Sequence, residues 1–265
     1  MSVVARDWHR HSPGERHLRY ILWLCMVAAL VWAVRSIEII PEFLVDAPEQ
    51  MADLLVRMWP PDLAHYYPSV HAAMIETLHI ASLGTLLGIG LAIPLALMAA
   101  RNICRSAVLN ALAQLLLVAS RSVNSLVWAL IFVAVFGPGP AAGAFAIAFR
   151  SIGFVGKLLA EAIEESAPGP LEALTASGAP LGHRMLKGVW PQVEPAFWGI
   201  TLFRWDINVR ESAVLGLVGA GGIGVVLDDA ISFFQWGRVA TILLAILAVV
   251  VVAEILVTRI RARLL

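Results

Sequence analysis

Four arginines interrupt apolar runs long enough to cross a bilayer: Arg121, Arg150, Arg204 and Arg210. A guanidinium keeps its charge and presents five donors, so in apolar surroundings its chemistry is the binding of an anion or of a fixed carboxylate. Placing one at the centre of a membrane helix costs about 2.5–3.5 kcal/mol on insertion scales, so each calls for a partner or a function. Arg204, Asn208 and Glu211 fall on one helical face, and Asp206 stands four residues before Arg210. Two roles compete. In one, Arg204, Asn208 and Arg210, with Arg121 and Asn124 from an earlier run, line a path for a small anion. In the other, the arginines pair with Asp206, Glu211 or backbone carbonyls and hold helices together.

The remaining candidates offer less chemistry. Gly219, Gly221, Gly222 and Gly224 resemble a nucleotide-binding loop superficially, but they follow an apolar helix rather than a strand and read as an outer turn or gate. His9, His11 and His17 lack diagnostic metal spacing, and no metal site is expected. Cys25 and Cys104 stand apart, without the spacing of a redox or metal motif, and are expected as free thiols. No nucleophile and base stand at a spacing that supports an enzyme. Trp23, Trp32, Trp59, Trp190, Trp198 and Trp236 lie in or near the ends of apolar runs, where indole suits the membrane interface.

The elements that must position these groups are membrane helices. Of 265 residues, 60% are hydrophobic and 14% charged, and mean hydropathy is +0.81, more apolar surface than one soluble core can bury. The formal net charge of zero gives no argument for nucleic acid as a partner. The reading is an all-α membrane protein of about six spans, each needing roughly 20 apolar residues. Residues 1–19 form a polar tail, and the first span covers 20–40, read as a retained anchor because no small-residue cleavage site follows it. Residues 41–71 form a hydrophilic segment in which Met51, Leu54, Leu55 and Met58 predict a short amphipathic helix. A core over 72–258 carries the remaining spans, and 259–265 close the chain.

Within that core, Gly84 and Gly88 have the spacing that lets helices approach closely, and Pro94 permits a kink. Arg121, Ser122, Asn124 and Ser125 interrupt the run from Ala107 to Phe136, giving a bent helix or two half-spans, with one crossing preferred. The run from Val193 to Val218 is polar enough to score poorly on hydropathy. Charge placement supports counting it: with six crossings, Arg6, Arg10, Arg16 and Arg19, Arg101 and Arg105, Arg184 and Lys187, and Arg259, Arg261 and Arg263 share one side. That side is cytoplasmic by the positive-inside rule, so both termini face the cytoplasm and residues 41–71 lie outside.

A cytoplasmic connection of about 30 residues, from Glu161 to Pro191, exceeds the usual length and should carry structure of its own. Pro168 and Pro170 can start a helix, Glu172 suits its N-terminus, and Gly178 can turn the chain at its end, which predicts a short helix across the cytoplasmic face.

The segment Glu172-Ala173-Leu174, followed by Gly178 and then by Pro191, resembles the signature loop of ABC-importer permeases. Leu174 replaces a second alanine, and Gly188 and Trp190 replace the usual isoleucine and leucine. The similarity extends from about Ile39 to the end and narrows to the phosphonate, phosphite and hypophosphite uptake branch. Trp59-Pro60-Pro61-Asp62, Trp190-Pro191-Gln192-Val193 and the block from Val214 to Gly224 carry it.

The resemblance implies a type I ABC importer permease fold in a bacterial inner membrane. It implies two permease chains, with a homodimer as the family expectation, two cytoplasmic ATPase subunits and an extracytoplasmic substrate-binding protein. Glu172, Ala173, Gly178, Ala179 and Pro191 would couple this chain to the ATPase. The chain has no Gly-x-x-x-x-Gly-Lys-Ser/Thr loop, so it binds no cofactor itself, and ATP and Mg belong to the partner ATPase. The alternative is an ion-coupled secondary transporter or channel for a small anion, which would usually show more spans or an internal repeat.

Overall fold

The computed structural model describes residues 13–37 and 41–264, and the described residues are helices and short connections. The tail before residue 13, the end of the first span over 38–40, and Leu265 lie outside the described residues. The chain divides into a unit of residues 1–55 and a unit of residues 56–265.

In the first unit, α1 (Pro13–Ser36) begins seven residues earlier than the apolar run suggests. Glu15 in its first turn and Arg35 in its last complement the helix dipole, so the polar flank continues the helix instead of ending it. Leu18, Trp23, Leu24, Leu30 and Trp32 are all exposed, as lipid-facing side chains would be. The amphipathic helix α2 (Pro41–Met58) is longer than expected, starting with Glu42 in its first turn and running through Pro48.

The second unit begins with short turns over Leu63–His65 and Tyr66–Val70, leading into α3 (His71–Ala99). Next come α4 (Ala107–Ser122), α5 (Ser125–Phe136) and α6 (Pro140–Glu164). The long connection after α6 holds α7 (Pro168–Ala176) and the single turn α8 (Leu181–Arg184). The chain finishes with α9 (Trp190–Leu215), α10 (Ile223–Ser232) and α11 (Trp236–Leu264). Among the described residues, four helices are long and apolar enough to cross a membrane, or up to six if each of two bent pairs is one span, matching the count from sequence.

α3 and α6 form the centre of this unit. A Cβ on Gly84 would lie 2.7 Å from Ile147 Cγ2, and one on Gly88 would lie 2.6 Å from Ser151 Cβ and 2.9 Å from the Ala148 carbonyl. The two glycines thus bring the helix backbones together, as their spacing predicts. The facing surface of α6 is small and buried, with Ala144, Ile147, Ala148 and Ser151 along it.

α4 and α5 meet at an angle of 93°. The polar interruption in the sequence is this bend: Asn124 caps α5 by accepting from the Leu126 N–H at 3.1 Å. Ser120 donates to the Phe149 carbonyl and accepts from the Gly153 N–H at 3.1 Å, tying the bend to the middle of α6.

α10 is a separate helix that the glycine block alone does not predict. Gly219, Gly221 and Gly222 adopt φ values of +81°, +78° and +75°, a left-handed path open to glycine. Two N–H groups at the start of α10 then find side-chain acceptors on α3: Gly222 N donates to Glu76 Oε1 at 3.0 Å and Ile223 N to Thr77 Oγ1 at 2.8 Å. One of the donors that a helix start leaves unpaired, the Ile223 N–H, and the N–H of the residue before it are thereby satisfied.

Candidate functional site

A polar network runs through the apolar body where α3, α6 and α9 meet. Ser151 on α6 is its hub, accepting from Arg204 Nε at 2.9 Å and from Asn208 Nδ2 at 3.1 Å. Asn208 Nδ2 also donates to Thr85 Oγ1 on α3 at 2.7 Å. Arg204 lies 5.4 Å from the Phe154 ring centroid and reaches Glu211 Oε2 at 3.5 Å. The other oxygen of Glu211 holds Arg150 at 3.0 Å, and Arg150 donates to Ser125 Oγ at 3.2 Å. One carboxylate therefore serves two guanidiniums, and this group carries a surplus positive charge.

The residues expected along an anion path divide into two sets. Arg204 and Asn208 are buried and tie α9 to α6 and α3. Arg210, Arg121 and Asn124 are exposed, although Arg210 is also ion-paired to Asp206, as the four-residue spacing predicts. Arg150, Glu211, Ser151 and Thr85 were not among the expected path residues. Arg150 had a sequence signal, as a charge in an apolar run, but the serine and threonine had none. Gly219, Gly221 and Gly222 form the turn before α10, whereas Gly224, expected in the same turn, is the second residue of the helix, where a Cβ would run into the Ala213 carbonyl oxygen.

The long connection after α6 forms the expected short helix. Pro168 opens α7, and the Ala167 N–H donates to Gln192 Oε1 of α9 at 2.9 Å. At the other end Gly178 has φ +75°, its N–H bonds the Thr175 carbonyl at 3.0 Å, and the Ala179 N–H bonds the Leu174 carbonyl at 3.0 Å. These paired bonds close the helix in a Schellman motif. Leu171 and Leu174 are half-buried, whereas Glu172, Ala173 and Pro191 are exposed. A Cβ on Gly188 would sit 3.2 Å from Leu174 Cδ1, so the larger residue at 174 fills space left by the smaller one at 188. Two of the three departures from the loop motif, Leu174 and Gly188, thus compensate each other. Asn102, Arg105, Glu172, Thr175 and Arg184 line a cleft of about 760 Å³ beside α7.

This architecture is that of a type I ABC importer permease. It resembles a chain in the crystal structure of an amino acid ABC transporter with a TM-score of 0.63 and 21% identity, covering 76% of this chain and 96% of that one. Residues 92–265 match the family described as binding-protein-dependent transport system inner membrane component. The chain belongs to that family. Among its relatives in Stutzerimonas stutzeri is HtxC, named as a phosphite transport system permease protein, 37% identical over 261 residues that cover 98% of this chain and 90% of HtxC. The phosphite transport system permease protein PtxC of the same organism is 37% identical over 234 residues, covering 88% of this chain and 82% of PtxC. The protein is thus a multi-pass membrane permease subunit, and ATP hydrolysis falls to a separate subunit.

Proposed function

We propose that this permease imports a phosphorus oxyanion, namely a phosphonate, phosphite or hypophosphite. The observation that carries the reading is identity of 37% across 98% of the chain to a permease named for phosphite. A surplus of guanidinium charge deep in the helices suits an anionic solute. An extracytoplasmic binding protein delivers the solute, two ATPase subunits carrying ATP and Mg supply the energy, and a second copy of this chain completes the pathway. Both termini face the cytoplasm.

The exposed face of α7, with Glu172 and Ala173, docks in the ATPase, Gly178 and Ala179 close its C-terminal end, and Pro191 stands at the start of the helix that follows the loop. Arg121, Asn124 and Arg210 border the solute path, while Arg204 and Asn208 support it from inside the protomer. The turn containing Gly219, Gly221 and Gly222, with Gly224 in the first turn of α10, forms the outer gate of an alternating-access cycle. Copurification from membranes tests the assembly: a P-loop ATPase is expected in stoichiometric complex with this chain. Titration of the partner binding protein with phosphite, hypophosphite, methylphosphonate and phosphate tests the solute. Retention of an amino acid in place of all four would overturn the substrate assignment.

A further inference from the structure

We infer that Arg150 is the solute-facing cation of this permease, held here by Glu211 and exchanged onto the oxyanion as solute passes. The inference rests on the oxyanion reading above and assigns that pathway a residue and an exchange step.

The two guanidiniums that share Glu211 differ in what else they touch. The Arg204 side chain is 3% exposed, with its Nε committed to Ser151 and its plane near Phe154. The Arg150 side chain is 29% exposed, and besides Glu211 it meets the neutral Ser125 hydroxyl. Of the pair, Arg150 is the one that an entering anion can reach.

Its position is also suited to the task. Arg150 is the eleventh residue of α6, about 15 Å along the helix from its start at 1.5 Å per residue. There α6 meets the bend between α4 and α5. Ser125 opens α5, and a Cβ on Gly153, one turn beyond Arg150, would lie 2.9 Å from Arg121 N. Non-helical backbone at membrane depth is tolerated where protein buries it or where it lines a water-filled cavity. At this bend Arg121 and Asn124 are exposed, and Arg121 adds a second positive charge.

The exchange leaves each guanidinium with an anionic partner throughout. A phosphorus oxyanion presents the same paired oxygens to the guanidinium fork as a carboxylate does. When it takes Arg150, Glu211 keeps Arg204, so the buried arginine retains its partner. Once the anion leaves, Glu211 recaptures Arg150 and the path is again closed by an internal pair. A neutral solute cannot drive this step, because it offers nothing to replace the carboxylate.

The test uses the complete transporter, with its ATPase and binding protein, in proteoliposomes. Arg150→Gln is expected to assemble in normal amount and to lose phosphite uptake at least tenfold, with Arg150→Lys retaining part of it. For a positional readout, Arg150→Cys is placed in a Cys25→Ser/Cys104→Ser background with cysteine-free partners. A thiosulfonate reagent that attaches an ammonium group should restore uptake severalfold and one that attaches a sulfonate should not. Inorganic phosphite should slow both modifications.

Equal effects of the two reagents, or modification indifferent to phosphite, would overturn the inference. Failure of both Arg150→Lys and Arg150→Cys to assemble would do the same, by assigning Arg150 to packing. Wild-type uptake with Arg150→Gln within twofold of it removes this inference alone. A wild-type transporter that moves neither phosphite, methylphosphonate nor hypophosphite removes the oxyanion reading and this inference together.

Discussion

Replacing Gly88 with alanine adds one methyl group at the closest approach of α3 and α6. The new Cβ would stand 2.6 Å from Ser151 Cβ and 2.9 Å from the Ala148 carbonyl, so the helices must separate by several tenths of an ångström or more. Overpacking of this kind costs about 1–3 kcal/mol. Ser151 also accepts hydrogen bonds from Arg204 and Asn208, so its displacement strains the charge network. A loss of about 3 kcal/mol corresponds to roughly a hundredfold in the unfolding equilibrium. Unfolding in mixed dodecylmaltoside and SDS micelles, followed by the emission of the nine tryptophans, measures the difference. Gly90 is the matched control, because a Cβ there meets nothing within 4 Å and alanine favours the helix. Wild-type stability in Gly88→Ala, or an equal loss in Gly90→Ala, would refute the close-packing argument.

Glu211→Ala leaves Arg150 and Arg204 without their shared carboxylate and should destabilise the protein by about 3–5 kcal/mol, read in the same micelle assay. Gly178→Val forces a β-branched residue into φ +75° at a cost of roughly 1–2 kcal/mol, and should weaken ATPase copurification from membranes. Glu172→Arg reverses the charge of an exposed side chain, so helix content and melting temperature should hold while ATP-driven uptake falls. Gly188→Ile alone should crowd Leu174 by about 1–3 kcal/mol, and adding Leu174→Ala should recover most of that in a thermal melt.

Much of the scaffold follows from local pattern. The Gly84 and Gly88 spacing, the polar interruption near Asn124, and the prolines and glycine around α7 each mark a local backbone event, and each occurs where the pattern places it. The sequence signals an interruption after Arg121 but leaves its angle open, because the turn at Asn124 is fixed by contacts from Ser120 to α6. α1 extends beyond its apolar run because hydropathy marks the lipid-facing stretch, whereas helix boundaries follow end charges as well.

The charge network was half legible. Arg204, Asn208 and Glu211 share a face by simple periodicity, and Asp206 pairs with Arg210 at four residues. The pairing of Glu211 with Arg150 joins two helices distant in sequence, which periodicity within one helix cannot reveal. Ser151 and Thr85 are ordinary residues in small-residue helices until Arg204 and Asn208 are brought against them. The exchange of sizes between Leu174 and Gly188 is likewise visible as two departures from a motif, and becomes a single packing arrangement once α7 folds back.

In the proposed function this chain is the passive path of an ATP-driven oxyanion importer. The most direct test is uptake of radiolabelled phosphite into proteoliposomes containing the permease, its ATPase and its binding protein. Uptake is expected with ATP on the ATPase side and is expected to vanish when ATP is withheld or the ATPase is omitted. Equal uptake by the permease alone, driven by an ion gradient without ATP, would instead make this chain an ion-coupled secondary transporter.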